Sequence, residues 1–328
     1  MPSKQTKKRL ITGFAAGIAL IHVVEKGYHE VLARRCKRMF QNLLADGKTR
    51  TFGQFHRASV YGYKHVRSSD DHYFAVQKLS DASRIIHRKQ LDHMTLTSDK
   101  VALTDFDNNF LSDFAYYVDK KMALHDKFAP ISAGDSFSVF INGNRLDKCF
   151  QVIKTIDDTA TGLQAMAVKA SSSQIVIAYA GTNPLDKRDV LTDVTTIVVK
   201  KNLPRRDNPQ QHLKALAFFK VIKAENPTCN ITLTGHSLGG FLALYVACLT
   251  ARTATVFNAP DPAQLLSDIP QTRDIRNFRH RKDSMGNFAG NGTGAEILSD
   301  PWLFSARTPF VYHGVAMWKF DKNGNIER

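Results

Sequence analysis

Gly235-His236-Ser237-Leu238-Gly239 sets a serine between two glycines, after a β-prone run over 230–234 and before an apolar run over 241–249. A serine hydroxyl becomes a useful nucleophile when a tight strand-to-helix bend lifts it clear of a sheet. A base must stand beside it, and backbone N–H groups must face the developing oxyanion. Gly235 and Gly239 suit that bend, because side chains would collide where the chain reverses and where helix meets strand. The bare pattern is common by chance, and its setting gives it weight. Ile231 and Leu233 alternate with threonines, and Phe241, Leu242, Leu244, Tyr245, Val246 and Leu249 form an almost wholly apolar helical run.

On such a bend the acid and then the base follow the serine in the chain. Beyond His236 only His280 and His313 remain. His280 falls inside a predicted strand between two arginines. His313 is the preferred base, since Gly314 lets a loop carry the imidazole over the sheet edge. The acid comes from Asp261, Asp268, Asp274, Asp283, Glu296 or Asp300. Asp283 is preferred because it follows the β-prone run 275–281, at the carboxyl end of a strand, where open sheets assemble their sites. Asp261 is the runner-up. The acid orients the imidazole and stabilises the imidazolium without taking the proton. The oxyanion needs two donors: the Leu238 N–H, and one from the turn at Gly181-Thr182, where Thr182 offers both N–H and hydroxyl.

Positioning these groups requires a layered frame. Strands are predicted at 136–141, 150–156, 162–168, 175–180, 253–257 and 274–280, with helices at 210–224 and after Ser237. Their alternation predicts an α/β fold with a mostly parallel central sheet. Ahead of it, residues 1–105 read as a basic helical region suited to a membrane or partner, with helices over 28–44 and 71–93. A further helix over 105–124 opens the catalytic domain, 106–328.

The 328 residues are 43% hydrophobic, enough for a sizeable core, and 45 basic against 30 acidic side chains leave a net charge of +15. Nine basic and two acidic residues fall within the first 40. That bias predicts an anionic membrane surface as partner, with nucleic acid less expected. Cys36, Cys149, Cys229 and Cys248 form no Cys-x-x-Cys or Cys/His pattern, so no metal site is expected. Lys7, Lys8 and Arg9 before the apolar stretch 10–24 resemble the start of a signal peptide, but no small-x-small cleavage site follows. The expectation is an uncleaved helix, buried or on a membrane surface, in a secreted, effector or peripheral membrane protein.

Several landmarks occur in order: Ile-Val-Ile-Ala-Tyr-Ala-Gly-Thr at 175–182, Asp189 to Asp193, Gly-His-Ser-Leu-Gly-Gly at 235–240, Asn-Ala-Pro at 258–260, Lys-Asp-Ser-Met-Gly at 282–286 and Tyr-His-Gly at 312–314. From about residue 106 onward the chain thus resembles the class 3 (fungal-type) lipases of the α/β-hydrolases. The resemblance implies Ser237, Asp283 and His313 as the triad, Thr182 and Leu238 as the oxyanion hole, and Asp193 as the carboxylate that fixes the threonine. Ala180 stands where the family usually has arginine. Val190, Leu191, Val194 and Ile197 to Val199, followed by Lys200, Lys201, Arg205 and Arg206, fit an amphipathic lid. The expected activity is hydrolysis of lipid carboxylic esters through an acyl-enzyme, of phospholipase A1 or acylglycerol lipase type. It needs no cofactor, calcium dependence being left open. An acyltransferase or thioesterase on the same fold is one alternative. A membrane- or nucleic-acid-binding module carrying a degenerate hydrolase is another.

Overall fold

The computed structural model describes residues 64–67, 73–78, 83–90, 96, 100–125, 129–141, 145–181, 211–266, 274–281, 283, 286–287, 293–298, 313–315, 318 and 320–327. One sheet takes its strands in chain order: β1 (Lys64–Arg67), β2 (Tyr73–Lys78), β3 (Ser83–Gln90), β4 (Asp135–Ile141), β5 (Arg145–Asp158), β6 (Leu163–Ser171), β7 (Gln174–Tyr179), β8 (Asn230–His236), β9 (Ala254–Phe257), β10 (Ile275–His280) and β11 (Ala295–Leu298). From β1 to β7 neighbours pair antiparallel, and from β7 to β11 they pair parallel.

Alternation along the strands builds two cores. In β6 and β7, Met166, Val168, Val176 and Ala178 join one apolar cluster, while Ala165, Ala167, Ile175, Ile177 and Tyr179 join the other. Strands buried on both faces read as continuous apolar runs, which β7 does. The first face is covered by α1 (Asp105–Phe114) and a 3₁₀ turn (Ala115–Val118), with α2 (Lys120–His125) following, and by Trp318, Phe320 and Ile326 near the C-terminus. The second is covered by α3 (Gln211–Glu225) and α4 (Leu238–Thr250).

Helix α1 begins at a reciprocal cap: the Thr104 hydroxyl accepts the Asp107 N–H at 3.3 Å, and the Asp107 carboxylate accepts the Thr104 N–H at 2.7 Å. Phe106, Phe110 and Phe114, four residues apart, line its inner side with successive ring centroids 5.6 Å apart, the first pair tilted and the second edge-on. Most of its polar residues are also buried, and some of them bind the sheet: the Ser112 and Thr234 hydroxyls lie 2.8 Å apart, joining α1 to β8.

Two expectations change. Within the span 71–93, read as helix, Tyr73–Lys78 and Ser83–Gln90 form β2 and β3 instead. Tyr73 and Phe74 are aromatic and Val76, Ile85 and Ile86 β-branched, and β4 offers a ladder, with Arg84 opposite Ile141 and Gln90 opposite Asp135. The sheet is mixed rather than mostly parallel, because its first seven strands lack intervening helices long enough for crossovers, apart from the β3–β4 link. The helices expected at 10–24 and 28–44 lie outside the described residues.

Candidate active site

Parallel strands β7, β8 and β9 end side by side, Tyr179 opposite Gly235 and His236 opposite Phe257. The chain then turns at Ser237, which adopts φ 56° and ψ −127°, a conformation that costs a non-glycine residue about 1–3 kcal/mol. Neighbouring contacts hold it. The Ser237 N–H donates to the Phe257 carbonyl at 3.0 Å, and its own carbonyl accepts the Phe241 N–H at 3.0 Å. A Cβ at Gly235 would land on the Gly239 backbone, and one at Gly239 would meet the Tyr179 carbonyl oxygen and, at 2.6 Å, the Ala180 carbonyl carbon. Both glycines are thus required by packing between β7, β8 and the first turn of α4.

The structure brings three of the expected residues together. His313 Nε2 lies 2.7 Å from Ser237 Oγ, and its Nδ1 lies 3.0 Å from each Asp283 oxygen. With Nδ1–H donating to the carboxylate, Nε2 presents its lone pair to the serine hydroxyl. Asp283 is fully buried, and Oδ2 also accepts the Gly286 N–H at 3.0 Å. Asp261, the other candidate acid, is occupied elsewhere: Oδ1 accepts the Ala263 N–H and Oδ2 the Thr293 N–H, both at 2.9 Å. His280 lies within β10, where its N–H donates to Asn258 Oδ1.

Leu238 opens α4, so its N–H belongs to the first-turn donors for which a helix has no internal acceptor, and the helix dipole favours negative charge there. The backbone at Tyr179–Ala180 abuts Gly239, which brings the end of β7 to the same bend. Thr182, Asp193 and the expected lid at 190–206 lie outside the described residues.

Other groups also stand at the site. His236, besides standing in the bend, is buried with Nδ1 2.9 Å from Tyr116 Oη and Nε2 2.5 Å from the His313 carbonyl oxygen. Burial, with the nearby His313 adding to it, pulls its pKa from an ordinary 6.5 down to about 3. Arg279, wholly buried on β10, has its pKa lowered by burial, while the charges of Asp261 and Asp283 oppose that shift. Asn109 Nδ2 donates to the Val315 carbonyl at 3.1 Å. Gly286 closes on Asp283. Tyr116, Asn109 and Arg279 had no sequence signal, since each acts through a neighbour that only the fold supplies.

Residues 111–272 match the family described as the Tle-like phospholipase domain. An extracellular phospholipase A1 of Serratia liquefaciens is 34% identical over 105 residues, covering 32% of this chain and 30% of that protein. The match therefore spans less than a third of that relative's length. Among solved structures, lipase II from Rhizopus niveus aligns with a TM-score of 0.32 at 18% identity, over 42% of this chain and 60% of its own. The Lip2 lipase from Yarrowia lipolytica aligns with a TM-score of 0.37 at 12% identity, over 70% and 90%. The family match covers just under half of the chain and takes in the parallel strands β7 to β9 and the strained serine bend at Ser237.

Proposed function

We propose that the chain is a serine carboxylic ester hydrolase acting on lipids, with phospholipid the preferred substrate and the sn-1 ester the bond cleaved. The observation that carries this reading is the unbroken chain from Asp283 through His313 to Ser237, at 3.0 and 2.7 Å, on a bend that holds the serine at positive φ. In the reaction His313 Nε2 takes the Ser237 proton as Oγ attacks the ester carbonyl carbon. Asp283 stabilises the imidazolium that forms. We assign the two oxyanion donors to the Leu238 N–H and to Thr182, with Asp193 in the supporting role that the family resemblance implies. Such aimed donors are typically worth about 3 kcal/mol each in the transition state. His313 then returns the proton to the leaving alcohol, and water, activated by the same imidazole, releases the fatty acid.

The choice of phospholipid is supported by the family match, by the phospholipase A1 relative and by the net charge of +15, which would gather the protein on anionic bilayers. The chemistry calls on no metal or organic cofactor. The test is to incubate wild type and Ser237→Ala with mixed phospholipids and triglycerides and to identify the products by mass spectrometry. Free fatty acid and 2-acyl lysophospholipid are expected from wild type alone. Equal release from both proteins would overturn the nucleophile, and release from triglyceride only would overturn the substrate.

A further inference from the structure

We propose that His236, braced by Tyr116, is a positioning residue: its imidazole grips the backbone of His313 and so sets where the base stands above Ser237. This rests on the hydrolase reading above and adds to it a residue that holds the base without touching substrate.

The argument begins with donors and acceptors. A carbonyl oxygen only accepts, so the short contact between His236 Nε2 and the His313 carbonyl requires the proton on Nε2. Nδ1 then carries a lone pair, and the Tyr116 hydroxyl 2.9 Å away must donate to it. The Tyr116 oxygen in turn receives the Gly181 N–H. Donation thus runs one way, from the end of β7 through Tyr116 and His236 to the loop that bears the base. A Cβ on Gly181 would overlap the Tyr116 hydroxyl, so that contact needs glycine.

Covalent connection makes the grip useful. His236 is the residue before Ser237, so one end of the clamp is bonded to the nucleophile and the other holds the backbone of the base. Gly314, next to His313, would otherwise leave that loop free to turn. Asn109 holds the Val315 carbonyl at 3.1 Å, so the carbonyls on both sides of Gly314 are fixed by side chains.

The clamp must also stay uncharged. The rings of His236 and His313 have centroids 5.0 Å apart, and His313 becomes a cation during turnover. A second cation beside it would oppose that step. Burial keeps His236 neutral and holds the Tyr116 phenol above its ordinary range.

Packing alone predicts that a ring of equal size serves as well as histidine; the clamp predicts that the Nε2 donor decides. The full-length protein and its variants are compared by the rate at which a fluorophosphonate labels Ser237, and by the low-field proton resonance of the His313–Asp283 hydrogen bond. His236→Phe should label about 100-fold more slowly, as expected for a misplacement near 1 Å. His236→Gln, whose amide N–H reaches the position of Nε2, should stay within about fivefold of wild type, as should Tyr116→Phe, each losing roughly one hydrogen bond. The low-field resonance should persist in His236→Gln and move or vanish in His236→Phe.

Labelling of His236→Phe at the wild-type rate with an unmoved resonance overturns the proposal, and so does His236→Gln as slow as His236→Phe. If the phenylalanine variant does not fold, His236→Asn replaces it. Its shorter amide meets Tyr116 but not His313, so equal rates in the Asn and Gln variants overturn the clamp. Failure of wild type to label would instead refute the serine nucleophile, while the resonance, which needs no turnover, still decides the clamp.

Discussion

A methyl group at position 286 tests the active-site geometry without altering any group proposed to take part in chemistry. In Gly286→Ala the new Cβ would overlap Asp283 Oδ2, and it cannot retreat, because the carbonyl carbon and oxygen of Asn258 stand 3.1 Å away on another side. Ordinary contact begins near 3.4 Å, so the carboxylate must move by on the order of 1 Å. Both oxygens now lie 3.0 Å from His313 Nδ1; a shift of that size directed away from Nδ1 takes Oδ2 to about 4 Å, beyond hydrogen-bond range, and turns the carboxylate out of its two-oxygen contact. The charge remains nearby and still favours the imidazolium, but the ring loses its orienting partner. A misplacement of about 1 Å costs on the order of 100-fold in rate, near 2.7 kcal/mol of transition-state stabilisation.

The assay is steady-state hydrolysis of a short-chain soluble ester, which removes adsorption to lipid from the measurement, with the melting temperature recorded alongside. The loss should appear in kcat, with KM within about twofold of wild type, because the interaction strengthens only as the imidazolium forms. A folded Gly286→Ala variant with kcat within about threefold of wild type would refute the argued dependence of the base on Asp283. So would a loss confined to KM.

Three further outcomes are expected. Asp283→Asn should lose about 10³–10⁴-fold in kcat, more than Gly286→Ala, because the charge is lost as well as the geometry; a smaller loss than that of the glycine variant would contradict this ordering. Asp107→Ala removes the nearer carboxylate partner of Lys148 Nζ, at 2.5 Å, and one side of the α1 cap, leaving a largely buried cation with only Asp147 at 4.0 Å. Urea unfolding should register about 3–5 kcal/mol, and less than about 1 kcal/mol would mean that the pair is not held as described. Because the folded pKa of His236 is near 3 and its ordinary value 6.5, the unfolded chain binds the proton first as pH falls. Stability should therefore be full above about 6.5 and decline toward 3, by on the order of 2 kcal/mol at pH 5, and His236→Gln should flatten that slope in pH-dependent urea titrations.

What the sequence determined by itself is the chemistry carried by local geometry. Glycines at 235 and 239 around a serine, with a β-prone run before and an apolar run after, specify a strand–turn–helix, because only glycine tolerates backbone approaches as close as those to Tyr179 and Gly239. Strands between 135 and 280 are legible for a similar reason: in β6 and β7 the side-chain period is two and both faces are buried, so the pattern is dense, whereas β11 carries no such signal. The order of acid and base reduced the partners of Ser237 to a short list.

Choosing within that list belonged to tertiary structure. Asp261 and Asp283 are both buried carboxylates near strand ends, so the sequence ranks Asp283 first without excluding Asp261. They differ because backbone donors at Ala263 and Thr293 close on one, whereas the loop bearing His313 descends on the other. The runs that form β2 and β3 read as helix because short stretches of aromatic and aliphatic residues satisfy either period, and the antiparallel ladder from β4 decides between them. His236 shows the limit most clearly. Its position within the bend was plain, but its two nitrogens meet Tyr116 and His313, residues 120 and 77 positions away. A hydrogen-bond chain across such separations exists only once the sheet has brought its ends together.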